Sequence, residues 1–324
     1  MGKILVTGAT GFIGSHLCEE LVRNGFDVKA FDRYNISNSY TWLEDSDVRN
    51  EIEFELGDIR DYDSVKKSMH NCSSVFHLAA LIGIPYSYVS PLAYIRTNIE
   101  GTYNILEASK DLNLEQVLIT STSETYGSAQ YIPIDEKHPL VGQSPYSASK
   151  ISADQLAISY INSFDQPIKI VRPFNTYGPR QSSRAVIPTI ISQLKDNSEA
   201  VKIGNLDPKR DLTFVGDTVR GFIEIYKKNF FFHEVTNIGS GNEISMKELL
   251  KMIAEIMEVN FSLEQDRERV RPKKSEVDRL FCDNKKIIEN SEWRPKTNLR
   301  DGLKKTIDWV VNQNNFFNSK KYHI

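Results

Sequence analysis

Short apolar runs alternate with helical patterns through the first half of the chain. The letters KILVT at 3–7 predict a buried strand, and the pattern over Phe12–Arg23 predicts an amphipathic helix that ends at Asn24-Gly25. Further strands are predicted at 27–31, 52–56, 75–78, 117–120 and 168–171, and further helices around 62–69, 91–112 and 146–163. Strands that alternate with helices favour a parallel sheet covered on both faces. The pattern therefore predicts an α/β fold built on a doubly wound parallel sheet.

Beyond Arg172 the alternation becomes less regular. The stretch RPFNTYGPRQSS precedes a predicted helix at 186–195, a strand near 200–203 and a helix around 217–227. Residues 240–310 show a helical pattern with short strands. We therefore predict a first domain of residues 1–172, completed by parts of about 211–238, and a smaller mixed α/β domain in the remainder of about 173–324.

Composition and charge are typical of a globular enzyme. The chain has 324 residues, of which 40% are hydrophobic and 26% charged, and a formal net charge of -3 does not favour nucleic acid as a partner. No apolar run approaches the about 20 residues of a membrane span, and MGKILVTG enters a strand pattern at once, which predicts a cytoplasmic protein without a signal peptide. Scattered cysteines predict reduced thiols, and histidines without HxxxH or HExxH spacing predict no metal site.

Three glycines follow the first predicted strand, at Gly8, Gly11 and Gly14. Glycines in such a turn let the backbone approach a pyrophosphate at the N-terminus of the next helix, although any tight turn can use them. Asp32 follows the second strand, where a carboxylate would bind an adenosine ribose. This carboxylate favours NAD over NADP because it would repel a 2′-phosphate, while Arg33 beside it leaves that preference open.

Tyr146 and Lys150 in SPYSASK lie four residues apart, on one face of a predicted helix. A lysine ammonium near a phenol lowers the pKa of the phenol, so that the tyrosine can take a hydroxyl proton near neutral pH. The YxxxK pattern alone also fits a solvated helix face. In a chain that carries the glycine turn as well, it favours redox chemistry at a hydroxyl group.

These motifs together resemble the extended short-chain dehydrogenase/reductase family over nearly the whole chain. The motifs that carry the resemblance are TGATGFIG, Asp32, GDIRD at 57–61, HLAA at 77–80, Asn98, YSASK at 146–150 and RPFNTYGPRQ at 172–181. The resemblance implies a Rossmann-type domain that binds NAD and a smaller C-terminal domain that binds a nucleotide diphosphate sugar. The implied cofactor contacts are Gly8, Gly11, Phe12, Ile13, Gly14, Asp32, Asp58, Ile59, Leu78, Ala79, Ala80, Asn98, Tyr146 and Lys150. Core packing is the alternative role for the side chains of Leu78 and Ala79.

The segment TSTSETYG at 120–127 bears on the reaction. It is similar to Thr-Ser-Glu-x-Tyr-Gly of GDP-mannose 4,6-dehydratases and to Thr-Asp-Glu of dTDP-glucose 4,6-dehydratases, whereas 4-epimerases need only a Ser/Thr, the tyrosine and the lysine. The resemblance implies that Tyr146, helped by Thr122 and Lys150, takes the C4 hydroxyl proton while hydride passes to NAD. Glu124 then takes the C5 proton as water leaves C6 with help from Ser123, and the hydride returns to C6.

NAD is therefore expected to stay tightly bound and to be regenerated in each turnover. Two positions depart from the dehydratase pattern. Ser123 replaces the aspartic acid of the dTDP-glucose enzymes, and Thr125 stands where an aliphatic residue is frequent. A solvated carboxylate at the end of a strand is the alternative role for Glu124.

Asn175, Arg210 and Arg271 resemble the family's contacts to the nucleotide diphosphate. Guanidinium groups suit phosphate because they donate paired hydrogen bonds, although each arginine could also be a surface charge. RPKKSEVDRL at 271–280 resembles RP-x-EVD-x-L of GDP-mannose dehydratases, which favours GDP over UDP. The whole chain is most similar to the N-acetylglucosamine-nucleotide 4,6-dehydratases of legionaminic acid biosynthesis, a bacterial nonulosonic acid pathway.

Two other functions remain open at this point. One is a UDP-hexose 4-epimerase, and the other is a non-catalytic NAD-binding regulator, which would be expected to lose the glycine turn or the Tyr/Lys pair. In the family, helices corresponding to those around 91–112 and 146–163 pair into a four-helix dimer interface. The resemblance therefore implies a homodimer, although these apolar positions could also pack within one subunit.

Overall fold

The computed structural model describes residues 2–37, 39–196, 200–266 and 269–313. The strands are β1 (Lys3–Thr7), β2 (Val28–Arg33), β3 (Ile52–Gly57), β4 (Cys72–His77), β5 (Gln116–Thr120), β6 (Ile168–Pro173), β7 (Asn175–Tyr177), β8 (Val201–Ile203), β9 (Lys209–Arg210), β10 (Leu212–Phe214), β11 (Val235–Ile238), β12 (Ile244–Ser245), β13 (Leu263–Gln265) and β14 (Arg279–Leu280). The α-helices are α1 (Phe12–Arg23), α2 (Tyr62–Met69), α3 (Ile84–Val89), α4 (Pro91–Tyr94), α5 (Gly101–Asp111), α6 (Pro145–Phe164), α7 (Val186–Lys195), α8 (Val215–Lys227), α9 (Met246–Met257), α10 (Lys285–Asn290) and α11 (Leu299–Asn312).

A parallel sheet of seven strands forms the centre of the described chain. Its order is β11-β6-β5-β4-β1-β2-β3, and every neighbouring pair is parallel. From β1 the chain adds strands to one side as far as β3, and then adds β4, β5, β6 and β11 to the other side. The strand order therefore reverses between β1 and β4, and ligands of such sheets bind at the carboxyl ends beside that point. The predicted doubly wound parallel sheet is confirmed.

Each face of the sheet carries its own layer of helices. Ile4 and Val6 of β1 belong to a core that includes residues of α1, α8 and α10. Leu5, between them, belongs to a second core that includes residues of α2, α5 and α6. Successive side chains of a strand point to opposite faces, so a strand covered on both sides is apolar at every position. This explains why the central strands have continuous apolar runs in the sequence.

A third core lies in the C-terminal part of the chain. It joins α7, α9 and α11 to β8 and β10, with Leu249 and Leu303 fully buried. The helix α9 begins with a capping box, in which Ser245 and Glu248 each bind the other's backbone N–H. The remaining strands form three small sheets with the orders β10-β7, β12-β9-β14 and β13-β8.

Three features of the fold differ from the sequence prediction. β11 completes the main sheet by pairing with β6, but no strand was predicted there. The strand predicted at 75–78 begins earlier and covers Cys72–His77. The helix predicted around 91–112 consists of α4, a π-helical turn at Ile95–Glu100 and α5. A π-helical turn inserts an extra residue into a helix and often occurs near functional sites, and this one carries the buried Asn98.

Candidate active site

The turn between β1 and α1 forms a tight glycine cradle. Gly8 has a φ of +69°, and a Cβ there would lie 2.8 Å from the backbone nitrogen of Ala79. A Cβ on Gly14 would overlap the carbonyl oxygen of Gly8, and one on Gly11 would lie 3.2 Å from it. No side chain caps the N-terminus of α1, which begins at Phe12. Its first amides are therefore available to an anion, and the cradle fits the pyrophosphate of a dinucleotide.

Asp32 lies beside this cradle, near the end of β2. Its Oδ2 accepts hydrogen bonds from the backbone N–H (2.8 Å) and the hydroxyl (2.7 Å) of Thr10, and its Oδ1 accepts one from the backbone N–H of Arg33 (2.7 Å). A carboxylate has about four acceptor sites, so the oriented side chain retains capacity for ribose hydroxyls. The arrangement fits the ribose-binding role that was predicted for Asp32.

Asp58 and Ile59 follow β3, on the same edge of the sheet. The Asp58 carboxylate accepts a hydrogen bond from Arg60 Nε (2.9 Å), and this bond lowers the pKa of Asp58. Ile59 is buried, and its carbonyl accepts a hydrogen bond from the Asn104 amide (2.9 Å). The structure thus holds an ionised carboxylate and a fixed backbone at the position that the resemblance gives to the adenine.

The amide of Asn98 binds the protein at both ends. Its oxygen accepts from the backbone N–H of Leu81 (2.8 Å), and its nitrogen donates to Leu81 O and to Ser149 Oγ (both 2.9 Å). Asn98 therefore ties the loop after β4 to α6. Within that loop, the partly buried Leu78 and Ala79 pack against the two sheet cores, as the packing alternative predicts.

The predicted tyrosine and lysine lie on the buried face of α6. Pro145 begins this helix, and a capping box formed by Ser144 and Ser147 fixes its first turn. Tyr146 is 7% exposed and Lys150 is 4% exposed. The Lys150 ammonium donates a hydrogen bond of 2.6 Å to the carbonyl oxygen of Thr120, the last residue of β5. The helix thus places both side chains at the carboxyl end of the sheet.

Burial determines the ionisation of this pair in the protein alone. Burial raises the pKa of the Tyr146 phenol, a hydrogen bond with Thr122 opposes the rise, and Glu124 adds to it. Burial also lowers the pKa of Lys150 to about 8, against the attraction of Asp154. In the protein alone the pKa of Tyr146 is therefore raised, because the cost of burying a phenolate is the largest effect, and the lowering of this pKa by Lys150 stays a prediction.

A short 3₁₀ turn at Ser123–Tyr126 follows β5 and carries the predicted acid/base residues. The backbone N–H of Glu124 donates to Thr122 Oγ1 (3.2 Å), which fixes the start of the turn. Glu124 is 8% exposed, so it is not a solvated carboxylate at a strand end. Its charge influences both the Tyr146 phenol and the Arg210 guanidinium. Ser123 is buried in the same turn.

Arg210 and Arg271 meet at one carboxylate in the C-terminal part of the chain. Arg210 Nη2 lies 3.5 Å and Arg271 Nη1 3.7 Å from Glu276 Oε1. Arg271 Nη1 and Asn175 Oδ1 are buried and have no hydrogen-bond partner among the described residues. Buried polar atoms are rarely left without a partner, so these two atoms are suited to a ligand. The two arginines therefore fit an anionic ligand such as a nucleotide diphosphate, and Asn175 offers a further polar atom without a partner.

Several side chains at the site were given no role in the sequence analysis. Glu276 belongs to the quoted RPKKSEVDRL motif, yet its position between two arginines arises only in the fold. Tyr94 of α4 packs edge-to-face on Tyr146, with ring centroids 6.2 Å apart. Asp154 lies four residues after Lys150, a spacing that places it on the same helix face and could have identified it.

A family model described as GDP-mannose 4,6-dehydratase matches residues 5–306. The chain belongs to the extended short-chain dehydrogenase/reductase family of NAD-dependent epimerases and dehydratases. Within this family, dTDP-glucose 4,6-dehydratase of Streptomyces griseus is 33% identical, over 94% of this chain and 93% of its own. A putative UDP-glucose 4-epimerase of Methanocaldococcus jannaschii is 32% identical, over 96% of this chain and 99% of its own.

Solved structures of the family superimpose closely on the chain. The dTDP-glucose 4,6-dehydratase of Streptomyces venezuelae, with NAD bound, has a TM-score of 0.90 at 27% identity and covers 97% of this chain and 98% of its own. A UDP-glucuronic acid 4-epimerase of Bacillus cereus, in complex with UDP-glucuronic acid and NAD, has a TM-score of 0.86 at 30% identity, with 95% and 98% covered. The Rossmann-type fold and the NAD-binding family are therefore established, while dehydratases and epimerases both occur among the relatives.

We also looked for disulfides, metal-binding clusters and membrane-spanning helices among the described residues. Cys18, Cys72 and Cys282 form no disulfide. In the part of the chain that the structure describes, no three histidine, cysteine or carboxylate side chains are placed to hold a metal ion. None of the helices within the described ranges is both long enough and apolar enough to cross a bilayer.

Proposed function

We propose that this chain is an NAD-dependent nucleotide-sugar 4,6-dehydratase. The observation that carries the proposal is the burial of Glu124 beside Tyr146, at the carboxyl end of β5. An epimerase exchanges hydrogen at C4 and needs one acid/base group there. Loss of water across C5 and C6 needs a second group, and Glu124 is a buried carboxylate next to the first.

The cofactor is NAD, which we propose is bound by the glycine cradle and by Asp32, with Asp58 and Ile59 towards the adenine and Leu78–Ala80 along the dinucleotide. NAD bound there would supply a reversible hydride acceptor for C4 and C6, and it would remain tightly bound through the turnover because no net oxidant is consumed. Asn98 would position the loop after β4, because its amide forms hydrogen bonds with Leu81 and Ser149.

The protein's own groups would move the protons. Tyr146, as a phenolate stabilised by the Lys150 ammonium, would accept the C4 hydroxyl proton with Thr122 beside it and become the neutral phenol. Glu124 would then take the C5 proton, which the new C4 ketone makes acidic. Ser123, which is buried in the same turn, would assist departure of the C6 hydroxyl, directly or through a water molecule.

We propose that Asn175, Arg210 and Arg271 bind the nucleotide diphosphate. The orphaned atoms of Asn175 and Arg271 support this assignment, as does the burial of Arg210 beside Glu124. The substrate-binding domain would then be the remainder of about 173–324, and the NAD-binding domain residues 1–172 with parts of about 211–238. A substrate held between two such domains would have its sugar next to the nicotinamide ring.

The nucleotide sugar is proposed to be GDP- or UDP-N-acetylglucosamine, with GDP favoured by the RPKKSEVDRL segment. The resemblance of the whole chain to the dehydratases of legionaminic acid biosynthesis suggests that the 4-keto-6-deoxy product enters a nonulosonic acid pathway. The match to a GDP-mannose 4,6-dehydratase model supports the same choice of nucleotide.

A UDP-hexose 4-epimerase is the second candidate function. It is favoured by two relatives, a putative UDP-glucose 4-epimerase at 32% identity and a UDP-glucuronate 4-epimerase at 31%. The Tyr146, Lys150 and Thr122 constellation serves either reaction. Only the product distinguishes them, because an epimer keeps its C6 hydroxyl.

Incubation of the holoenzyme with each of the two nucleotide sugars in deuterated water tests the proposal. We expect a product that has lost one water and gained one deuterium at C5, measured by mass spectrometry. A product of unchanged substrate composition with an inverted C4 would identify the epimerase. Turnover of neither compound would leave the family assignment standing and would refute the proposed sugar.

We also propose that the protein is a homodimer formed through α5 and α6 and their symmetry mates. Apolar side chains on the α4–α5 segment are exposed in the single chain, with Leu92 55%, Ile95 50% and Tyr103 45% exposed. An apolar stripe of this kind is typical of a helix interface. Sedimentation equilibrium should give twice the chain mass of 37.0 kDa.

Ile95→Asp should shift that equilibrium to the single chain, because it places a charge in the proposed interface. Ile36→Asp is the matched control, since Ile36 is fully exposed and lies on the loop after β2. A single-chain mass for the unmodified protein would refute the dimer.

A further inference from the structure

Asp154 is a completely buried carboxylate that the proposed reaction does not use. It lies on α6 one turn beyond Lys150, and its exposed fraction is 0%. Its ion-pair partner is Arg172 of β6, which is 2% exposed. Removing a charged pair from water costs several kcal/mol per ion. A buried pair one helical turn from Lys150 is therefore a candidate for a functional role.

The hydrogen bonds of this carboxylate converge on one oxygen. Asp154 Oδ2 accepts from Arg172 Nε (3.1 Å), from Arg172 Nη2 (2.8 Å) and from Ser121 Oγ (2.6 Å). Oδ1 is buried and has no hydrogen-bond partner in the described chain. Arginine–carboxylate pairs frequently use both oxygens. The ion pair with Arg172 therefore leaves one oxygen of the carboxylate without a partner. Burial lowers the pKa of Lys150, and the charge of Asp154 opposes that lowering.

Three successive turns of α6 hold three successive residues at the end of β5. Thr122 influences the Tyr146 phenol through a hydrogen bond that lowers its pKa, Lys150 donates to the carbonyl oxygen of Thr120 (2.6 Å), and Asp154 accepts from Ser121. Residues spaced by four share one face of a helix. Asp154 is thus the third residue on this face of α6 that contacts the end of β5. Its hydrogen bond holds Ser121, the residue directly before the Thr122–Glu124 turn.

Titratable groups reach Lys150 or its partners from several neighbouring elements: His77 of β4, Tyr94 of α4, Glu124 after β5, Tyr146 of α6 and Arg172 of β6. His77 is neutral near physiological pH, because burial and the charge of Lys150 lower its pKa to about 3. The two phenols are neutral as well, since burial raises the pKa of each. Glu124 is shared with Arg210. Asp154 is the carboxylate whose charge bears on Lys150 in the free protein.

We propose that Asp154 is a positioning residue, which sets a negative charge one helical turn from Lys150 and holds Ser121 so that the Thr122–Glu124 turn keeps its place. Arg172 would balance the charge of the carboxylate while occupying only one of its oxygens. This inference rests on the proposed function in so far as the ammonium form of Lys150 is the form required for turnover.

Asp154→Asn tests the inference in the absence of substrate. In protein labelled with [ε-¹³C]lysine, the Lys150 resonance is assigned by its loss in Lys150→Arg. We expect its titration midpoint to fall by about one pH unit in Asp154→Asn, because the ammonium loses its anion. An unchanged midpoint would overturn the inference whether or not the proposed sugar is a substrate.

Turnover gives the second measurement, on whichever nucleotide sugar the unmodified enzyme converts. The alkaline limb of the kcat profile should move to lower pH by the same amount, which lowers kcat about tenfold above both midpoints, with KM nearly unchanged. Ser121→Ala is the matched control, since it removes a hydrogen bond to Asp154 and keeps the charge. We expect it to lower kcat at all pH values without moving the limb.

Asp154→Asn leaves the buried Arg172 charge unpaired and could prevent folding. The double variant Asp154→Asn/Arg172→Gln removes both charges together and should fold while showing the same lowered midpoint. If the folded double variant titrates as the unmodified protein does, Asp154 has only a structural role and the inference is refuted.

Discussion

Glu124→Gln is expected to abolish the loss of water and to lower kcat about 10³-fold, in the range lost with a general acid/base group. The substitution keeps the size of the side chain and removes its ability to take the C5 proton. Glu124 is buried beside Tyr146, so no bulk solvent base is available to replace it. The affinity for the nucleotide sugar should change by less than about threefold, because the proposed diphosphate contacts Asn175, Arg210 and Arg271 are all unchanged.

The oxidation at C4 should survive in this variant, since Thr122, Tyr146 and Lys150 are unchanged. Mixing the variant with substrate should therefore give near-ultraviolet absorbance of reduced nicotinamide that persists instead of decaying. Glu136→Gln is the matched control, because Glu136 is a partly buried glutamate with no proposed role in the reaction, whose carboxylate accepts a hydrogen bond from the Asn237 backbone (2.9 Å). Turnover of Glu124→Gln within tenfold of the unmodified rate would refute the dehydratase role of Glu124.

The parts of the fold that depend on local pattern were predictable from sequence. The helix α1 begins and ends where the sequence predicts, because its apolar periodicity and the Asn24-Gly25 stop are both local signals. β11 was not predicted. Val235–Ile238 becomes a strand through its parallel pairing with β6, and a contact between distant segments leaves no periodic signal in four residues.

In the candidate site, too, local sequence patterns predicted some features, while others depend on how distant segments pack together. Helical spacing alone placed Tyr146 and Lys150 on one face of α6, and the glycine spacing located the cradle. The direction of the Lys150 ammonium, towards the carbonyl of Thr120, depends on how α6 lies against β5. The raised pKa of Tyr146 depends on burial, which a motif does not specify. The meeting of Arg210 and Arg271 at Glu276 arises from three separate segments.

Gly14→Ala is expected to weaken NAD binding about 100-fold, the upper end of the 1–3 kcal/mol cost of overpacking. A Cβ at this position would overlap the carbonyl oxygen of Gly8. Because this atom belongs to the backbone, the clash cannot be relieved by a change of rotamer, as it could with a flexible side chain. The N-terminus of α1 must therefore move away from the turn, which separates its amides from the pyrophosphate position. The dissociation constant of NAD, measured by calorimetry, gives the effect directly.

Substitutions at two further glycines provide a comparison for the expected loss of NAD binding. A Cβ on Gly11 would lie 3.2 Å from the same oxygen, so Gly11→Ala should weaken NAD binding by a smaller factor. Gly83→Ala is the control, because its Cβ would meet nothing closer than the Tyr94 hydroxyl at 3.5 Å, which is ordinary contact. Far-ultraviolet circular dichroism separates loss of binding from loss of folding. If folded Gly14→Ala binds NAD as tightly as Gly83→Ala does, close approach of the turn to the dinucleotide is not what this glycine provides.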